Sequence, residues 1–216
     1  MLHLIVMASG ILSVAPSVDG PDFLVAVAAN ETQVMRAAFC QMVMMVAYVG
    51  FAIVLLPQLK KRGEGLTFGF LSFRVIGGAF ILLGVILLPL LVLVSREFVA
   101  GGPSEAAYLP SLGGLLRVGR DLVNHVGFIV ASSLGSLFLY SLLYRSRLVP
   151  RWLSVWGLAG AILALVASLL VLFDWVEVVT ATYVALNVPI AAQEFMFAIW
   201  LIGKGFDPPE PDAILR

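Results

Sequence analysis

The sequence predicts an all-α polytopic membrane protein, a bundle of six transmembrane helices. Three observations predict it. Of 216 residues, 61% are hydrophobic and 12% charged, well below the quarter or so charged in soluble domains. Mean hydropathy is +1.05, which excludes a water-soluble globule on composition. The apolar residues are gathered in six runs, and all but the first reach the roughly 20 residues needed to cross the hydrocarbon core as a helix. Each run must be helical, because lipid leaves an open strand's backbone groups unsatisfied. The alternating segments of an outer-membrane barrel are absent.

The first run, Leu2 to Ala15 (LHLIVMASGILSVA), is short for a span. No basic stretch precedes it and Ala-Pro-Ser is a poor cleavage site, so a helix is expected rather than a signal peptide. It is expected to span marginally, or to begin upstream of Met1. Pro16 to Gln33 follows, with DFLVAVAAN inside it. That piece is apolar but too short to cross, and is expected as a small helix on the outer surface. The Asn30-Glu31-Thr32 sequon is read as chance. The second span covers about 34–56 and the third about 68–94, long enough to tilt. Gly101-Gly102-Pro103 is expected to open a flexible loop. The fourth span covers about 115–144, with Arg117, Arg120 and Asp121 in its first turns. The fifth covers 152–173 and the sixth about 179–202, where Pro189 is expected to kink the helix. Residues 1–204 form one domain in this reading. Residues 205–216, with Pro208, Pro209 and Pro211, read as a disordered cytoplasmic tail.

The connections set topology. Lys60-Lys61-Arg62 and the stretch from Arg145 through Arg147 to Arg151 are short and basic. The opposite side carries Asp19, Asp22, Glu31, Asp174 and Glu177. The positive-inside rule therefore puts the basic loops, and with six spans both termini, in the cytoplasm. Trp152, Trp156, Trp175 and Trp200 fall near span ends, as interfacial aromatics do. No internal repeat is legible, so an inverted-repeat transporter is not predicted.

Arg74, His125 and Glu194 are ionisable groups within lipid-length apolar runs. Such charges are expensive and usually functional. Glu194 is ten residues from Lys204, about 15 Å deep at the helical rise. Arg74 lies about 9 Å in from the same side by its distance from Phe68, and its long side chain extends that reach. The two are therefore able to meet between the third and sixth spans. Asp121 and His125 are four residues apart, on one face of a regular helix. Asn124 precedes the histidine. Arg36, at the outer start of the second span, is read as snorkelling or as part of the polar core. Gln41, Asn187 and Gln193 read as interhelical hydrogen-bond glue. The runs around Gly77-Gly78, Ser132-Ser133 and Gly157 to Ala161 read as close-packing faces. The single cysteine, Cys40, reads as a small hydrophobe.

Several chemistries are argued down. The formal charge is balanced, so no nucleic-acid partner is expected. Bis-histidine haem needs two imidazoles at one depth, whereas His3 is placed at the inner end of the first span and His125 in the outer half of the fourth. No zinc-ligand, Walker or dinucleotide motif is present. No cofactor is expected.

The stretch NHVGFIVASSLGSLFLYSLLYRSRLVPRWLSVWGLAGAI resembles the His-x-Gly-Phe and Tyr-Arg-Ser-x-x-x-Pro-Arg-x-Leu pattern of the DUF4386 membrane proteins. SFRVIGG around Arg74 and LNVPIAAQEFMFAIWLIGKGF around Glu194 match it as well. The resemblance covers nearly the whole chain. It implies a bacterial six-helix inner-membrane protein of unestablished activity, with Arg36, Arg74, His125 and Glu194 at the pattern's polar positions. It also implies a longer first helix than the one here.

Three functions fit these residues. The first is binding or transport of a small amphipathic or ionic ligand, with membrane lipids as surroundings. Arg74 would then face an anionic group, with Glu194 and His125 as protonatable partners and Asp121, Asn124, Asn187 and Gln193 nearby. The second is a structural or regulatory subunit whose charges only fix packing. The third is a lipid-modifying enzyme using His125 as base and Asp121 as its orienter.

Overall fold

A computed structural model of the chain describes residues 1–105, 108–178 and 180–206. Its described residues form helices and connecting turns with no strand. Helix α1 is Leu2–Leu12, and a 3₁₀ turn follows at Pro16–Val18. The short α2 is Phe23–Ala29, then come α3 (Glu31–Lys60) and α4 (Glu64–Glu105). Helix α5 (Leu109–Asp121) runs through a π-helical segment, Leu122–Phe128, into α6 (Ile129–Ser146). The chain closes with α7 (Arg151–Leu172) and α8 (Ala181–Gly203).

Among the described residues, five helical stretches are long and apolar enough to cross a membrane: α3, α4 as far as Gly101, the continuous α5–π–α6 rod, α7 and α8. The first of the six expected spans is not among them. Helix α1 has 11 residues, about 16 Å at the helical rise, against roughly 30 Å of hydrocarbon. It lies antiparallel to α3, with Leu2 beside Gly50 and Gly10 beside Met44. It therefore runs from mid-depth toward the acidic end of the bundle.

Two other expectations change. The backbone is helical through residues 101–105, where the glycines and Pro103 predict a loop. The acidic end of the bundle is capped. Ala15, Val18, Phe23, Leu24 and Val27 fold back on Leu88, Leu91 and Val92 of α4 and on Leu109 of α5. The apolar DFLVAVAAN stretch is thus a helix that buries Phe23, Leu24 and Val27 against protein. Asn30 helps end it, donating from its amide to the Ala26 carbonyl at 2.8 Å. Pro189 lies within α8, which continues through it. Of the predicted tail, residues 207–216 lie outside the described residues.

Helix packing closes a ring in the order α1, α3, α4, α6, α7, α8 and back to α1. Small residues make the close approaches. A Cβ on Gly160 would lie 2.9 Å from the Ile190 backbone, and the Gly77 position is filled by the Tyr48 ring. Two apolar clusters stack along the bundle. One is the capped acidic end; the other, around Leu59, Phe70, Leu139, Leu143 and Phe197, fills the end bearing the basic loops. Gly63 packs on Leu142 there, joining the two basic loops' ends. The polar residues occupy the layer between these clusters.

Candidate functional site

Arg74 stands ten residues into α4 and Glu194 nine residues before the end of α8, so the helical rise puts both about 14–15 Å from the basic end. The Arg74 guanidinium is 1% exposed, with Nη2 lying 3.8 Å from Glu194 Oε1. Three rings enclose it: its Cζ is 4.3 Å from the Tyr48 centroid, 5.2 Å from Phe70 and 5.8 Å from Phe51. Aromatic faces stabilise a desolvated guanidinium. Among the described residues, Arg74 Nε has no hydrogen-bond partner.

A third ionisable group completes the cluster. His3, 3% exposed, places Nε2 3.7 Å from Glu194 Oε2. Its ring packs on Phe51, centroids 4.8 Å apart. The expectation that His3 marks the inner end of a span is therefore corrected. Because α1 begins at mid-depth, His3 is level with Glu194. Neither ring nitrogen has a hydrogen-bond partner among the described residues. The sequence did carry a signal, an imidazole within an apolar helix, but not the register that brings it to Glu194.

Six helices line a cavity of ≈ 180 Å³ over this cluster. Val6 comes from α1, Tyr48 from α3, Arg74 from α4, Ser132, Ser133 and Ser136 from α6, Ala164 from α7, and Asn187 and Glu194 from α8. Phe128, Ile129 and Asn187 also line a second cavity of ≈ 380 Å³, nearer the acidic end. His125 sits in that outer chamber, together with Gln41, Arg120, Asp121, Asn124 and Tyr183.

The three charged groups singled out in the sequence are therefore divided. Arg74 and Glu194 meet, while His125 belongs to the adjoining chamber. Its Nδ1 is 2.8 Å from the Tyr183 hydroxyl, and the two rings meet edge to face. Asp121 does not orient it. Residues 122–128 are π-helical, and the wider i→i+5 turn breaks the four-residue spacing that would have aligned the pair. Asp121 instead accepts from Arg120 Nη1 at 3.1 Å, and that nitrogen also bonds Asp19 at 3.0 Å. Ser168 of α7 donates to the His125 carbonyl at 2.8 Å, tying the π segment to α7.

The remaining polar candidates fall into place by contact. Asn124 and Gln41 both abut Gly84. Asn187 donates to the Tyr183 carbonyl one turn back, at 2.9 Å. Gln193 is fully buried and donates to the Leu153 carbonyl at 3.1 Å, linking α8 to α7. Arg36 is exposed and lines none of the three cavities described.

Chemically, the mid-depth cluster sets a carboxylate between a guanidinium and an imidazole. No curated protein and no solved structure matches the chain. A family model described as "Domain of unknown function (DUF4386)" matches residues 1–205, and the chain belongs to that family.

Proposed function

We propose that the protein binds, and passes through the membrane, a small amphipathic or ionic ligand in its intramembrane cavity. Arg74 holds the ligand's anionic group, and Glu194 with His3 adjusts the charge of the site. The observation that carries this reading is the incomplete bonding of Arg74. Among the described residues its Nε is unpartnered, while the head lines a cavity built by all six ring helices. A pair serving only to fix helix register gains most when each donor and acceptor is satisfied within it. Here the charges are 3.8 Å apart, beyond hydrogen-bond reach. The basic loops supply the orientation: they face the cytoplasm of a bacterial plasma membrane by the positive-inside rule.

The test is thermal unfolding of the purified protein in detergent against a panel of small carboxylates, amines and zwitterions. A true ligand at about a hundred times its Kd adds roughly 2.7 kcal/mol to the folded state. At least one panel member is expected to raise the midpoint of the native chain and to lose that effect in Arg74→Gln and Glu194→Gln. Arg74→Lys keeps the charge and is expected to retain part of it. A ligand shift unchanged in all three variants, or none from any compound, contradicts the proposal.

A further inference from the structure

We infer, resting on the reading above, that the ligand is a compact zwitterion and that it reaches Arg74 from the acidic end of the bundle. The route follows three adjoining cavities. The mid-depth chamber shares Asn187 with the outer chamber, and the outer chamber shares Asp19, Asp121 and Val178 with a third cavity of ≈ 450 Å³. That third cavity is bordered by Asp174 and Glu177, which are exposed. Toward the basic loops the path is closed. Leu59, Phe70, Leu139, Leu143 and Phe197, each 1% exposed or less, pack there.

Charge selects the ligand at two heights. The outer two cavities carry four carboxylates (Asp19, Asp121, Asp174, Glu177) against the guanidinium groups of Arg117 and Arg120. A channel mouth of that sign attracts a positive group and repels a simple anion. The terminus of the route is the opposite kind of place. Arg74 is an almost fully buried cation with an unused Nε, and Glu194 is held nearby but not hydrogen-bonded to it. Gln41, 6% exposed, presents an unpartnered Oε1 to the outer chamber on the way in.

A bare anion bound at Arg74 would add a buried negative charge beside Glu194. A bare cation bound at Glu194 would add a positive charge beside Arg74. With Glu194 ionised and His3 neutral, either leaves a charge uncompensated at mid-membrane, where that is costly. A molecule carrying both groups adds no net charge. Its anionic end takes the donors of Arg74, and its ammonium takes Glu194.

Single cysteines in a Cys40→Ala background test both parts in sealed proteoliposomes of the full chain. Asn187→Cys and Ser132→Cys report the route. Glu177→Cys and Lys61→Cys report the acidic and basic faces. Membrane-impermeant methanethiosulfonates of positive and negative charge are the reagents. Asn187→Cys and Ser132→Cys are expected to react only in the liposome population whose Glu177→Cys face is exposed, and faster with the cationic reagent. Labelling only from the Lys61 face, labelling from both faces alike, or none at either position overturns the route.

The ligand class is read as protection of Asn187→Cys by β-alanine, propionate or propylamine. β-Alanine is expected to slow labelling several-fold, an effect lost with Arg74→Gln or Glu194→Gln added. Equal or better protection by propionate or propylamine overturns the zwitterion while leaving an ionic ligand standing. No protection by β-alanine overturns it too. The thermal panel decides separately whether any ligand binds.

Discussion

Arg74 and Glu194 face each other across the bundle at one depth, 3.8 Å apart, neither hydrogen-bonded to the other. Burial leaves Arg74 no alternative partner in solvent, whereas Glu194 is 20% exposed. The cation is thus the committed member of the pair and the carboxylate the adjustable one. That asymmetry governs what each substitution does.

Removing one member of a buried ion pair leaves the other uncompensated. Arg74→Ala is expected to cost about 3–5 kcal/mol, measured by unfolding in mixed detergent. Glu194→Gln is expected to cost less, because its partner keeps the three aromatic faces and its own head reaches the cavity. The double variant Arg74→Met with Glu194→Leu is expected to recover most of the loss, since an apolar pair of similar volume is often neutral. Its stability returns without ligand response. A double variant no more stable than Arg74→Ala would show that the pair is not the cause.

The Tyr183 hydroxyl on His125 Nδ1 spans α8 and the π segment at 2.8 Å. Tyr183→Phe keeps the edge-to-face ring contact and removes only that bond, at an expected cost of about 0.5–1.5 kcal/mol. A double-mutant cycle with His125→Ala should give a coupling of that size. Coupling near zero would mean that the two rings pack without sharing a hydrogen bond.

Gly160 lets α7 approach α8 more closely than any other side chain permits. A Cβ there would meet the Ile190 Cα at 2.9 Å and its N at 3.0 Å, and backbone atoms cannot rotate away. Gly160→Ala is expected to destabilise by about 1–3 kcal/mol. Gly114→Ala has nothing within 4 Å of the new carbon, so it is expected to be neutral or to gain about 0.5–1 kcal/mol from helix propensity. Equal effects at the two positions would remove the packing explanation.

Much of this was legible because it depends on one-dimensional quantities. Apolar run length marks the crossing helices, and counting residues from Lys204 puts Glu194 at its depth. What escaped depends on how helices register against one another. His3 reaches Glu194 only because α1 begins level with Phe51, which no local pattern encodes. The Asp121–His125 pairing fails because residues 122–128 take a π turn. Their composition has no mark of one, and the Ser168 bond to the His125 carbonyl that anchors it comes from another helix. Arg120 looks like a charge at a span end until the 3₁₀ turn at Pro16–Val18 brings Asp19 to it.

The most direct measurement is a cryo-electron microscopy map of the chain in lipid nanodiscs, inspected between Arg74, Glu194 and Ser132. Non-protein density bonded to the Arg74 guanidinium, with His3 beside the carboxylate, is the expected result. A dry guanidinium–carboxylate contact at hydrogen-bond distance, with side chains filling the surrounding space, would contradict a ligand site there.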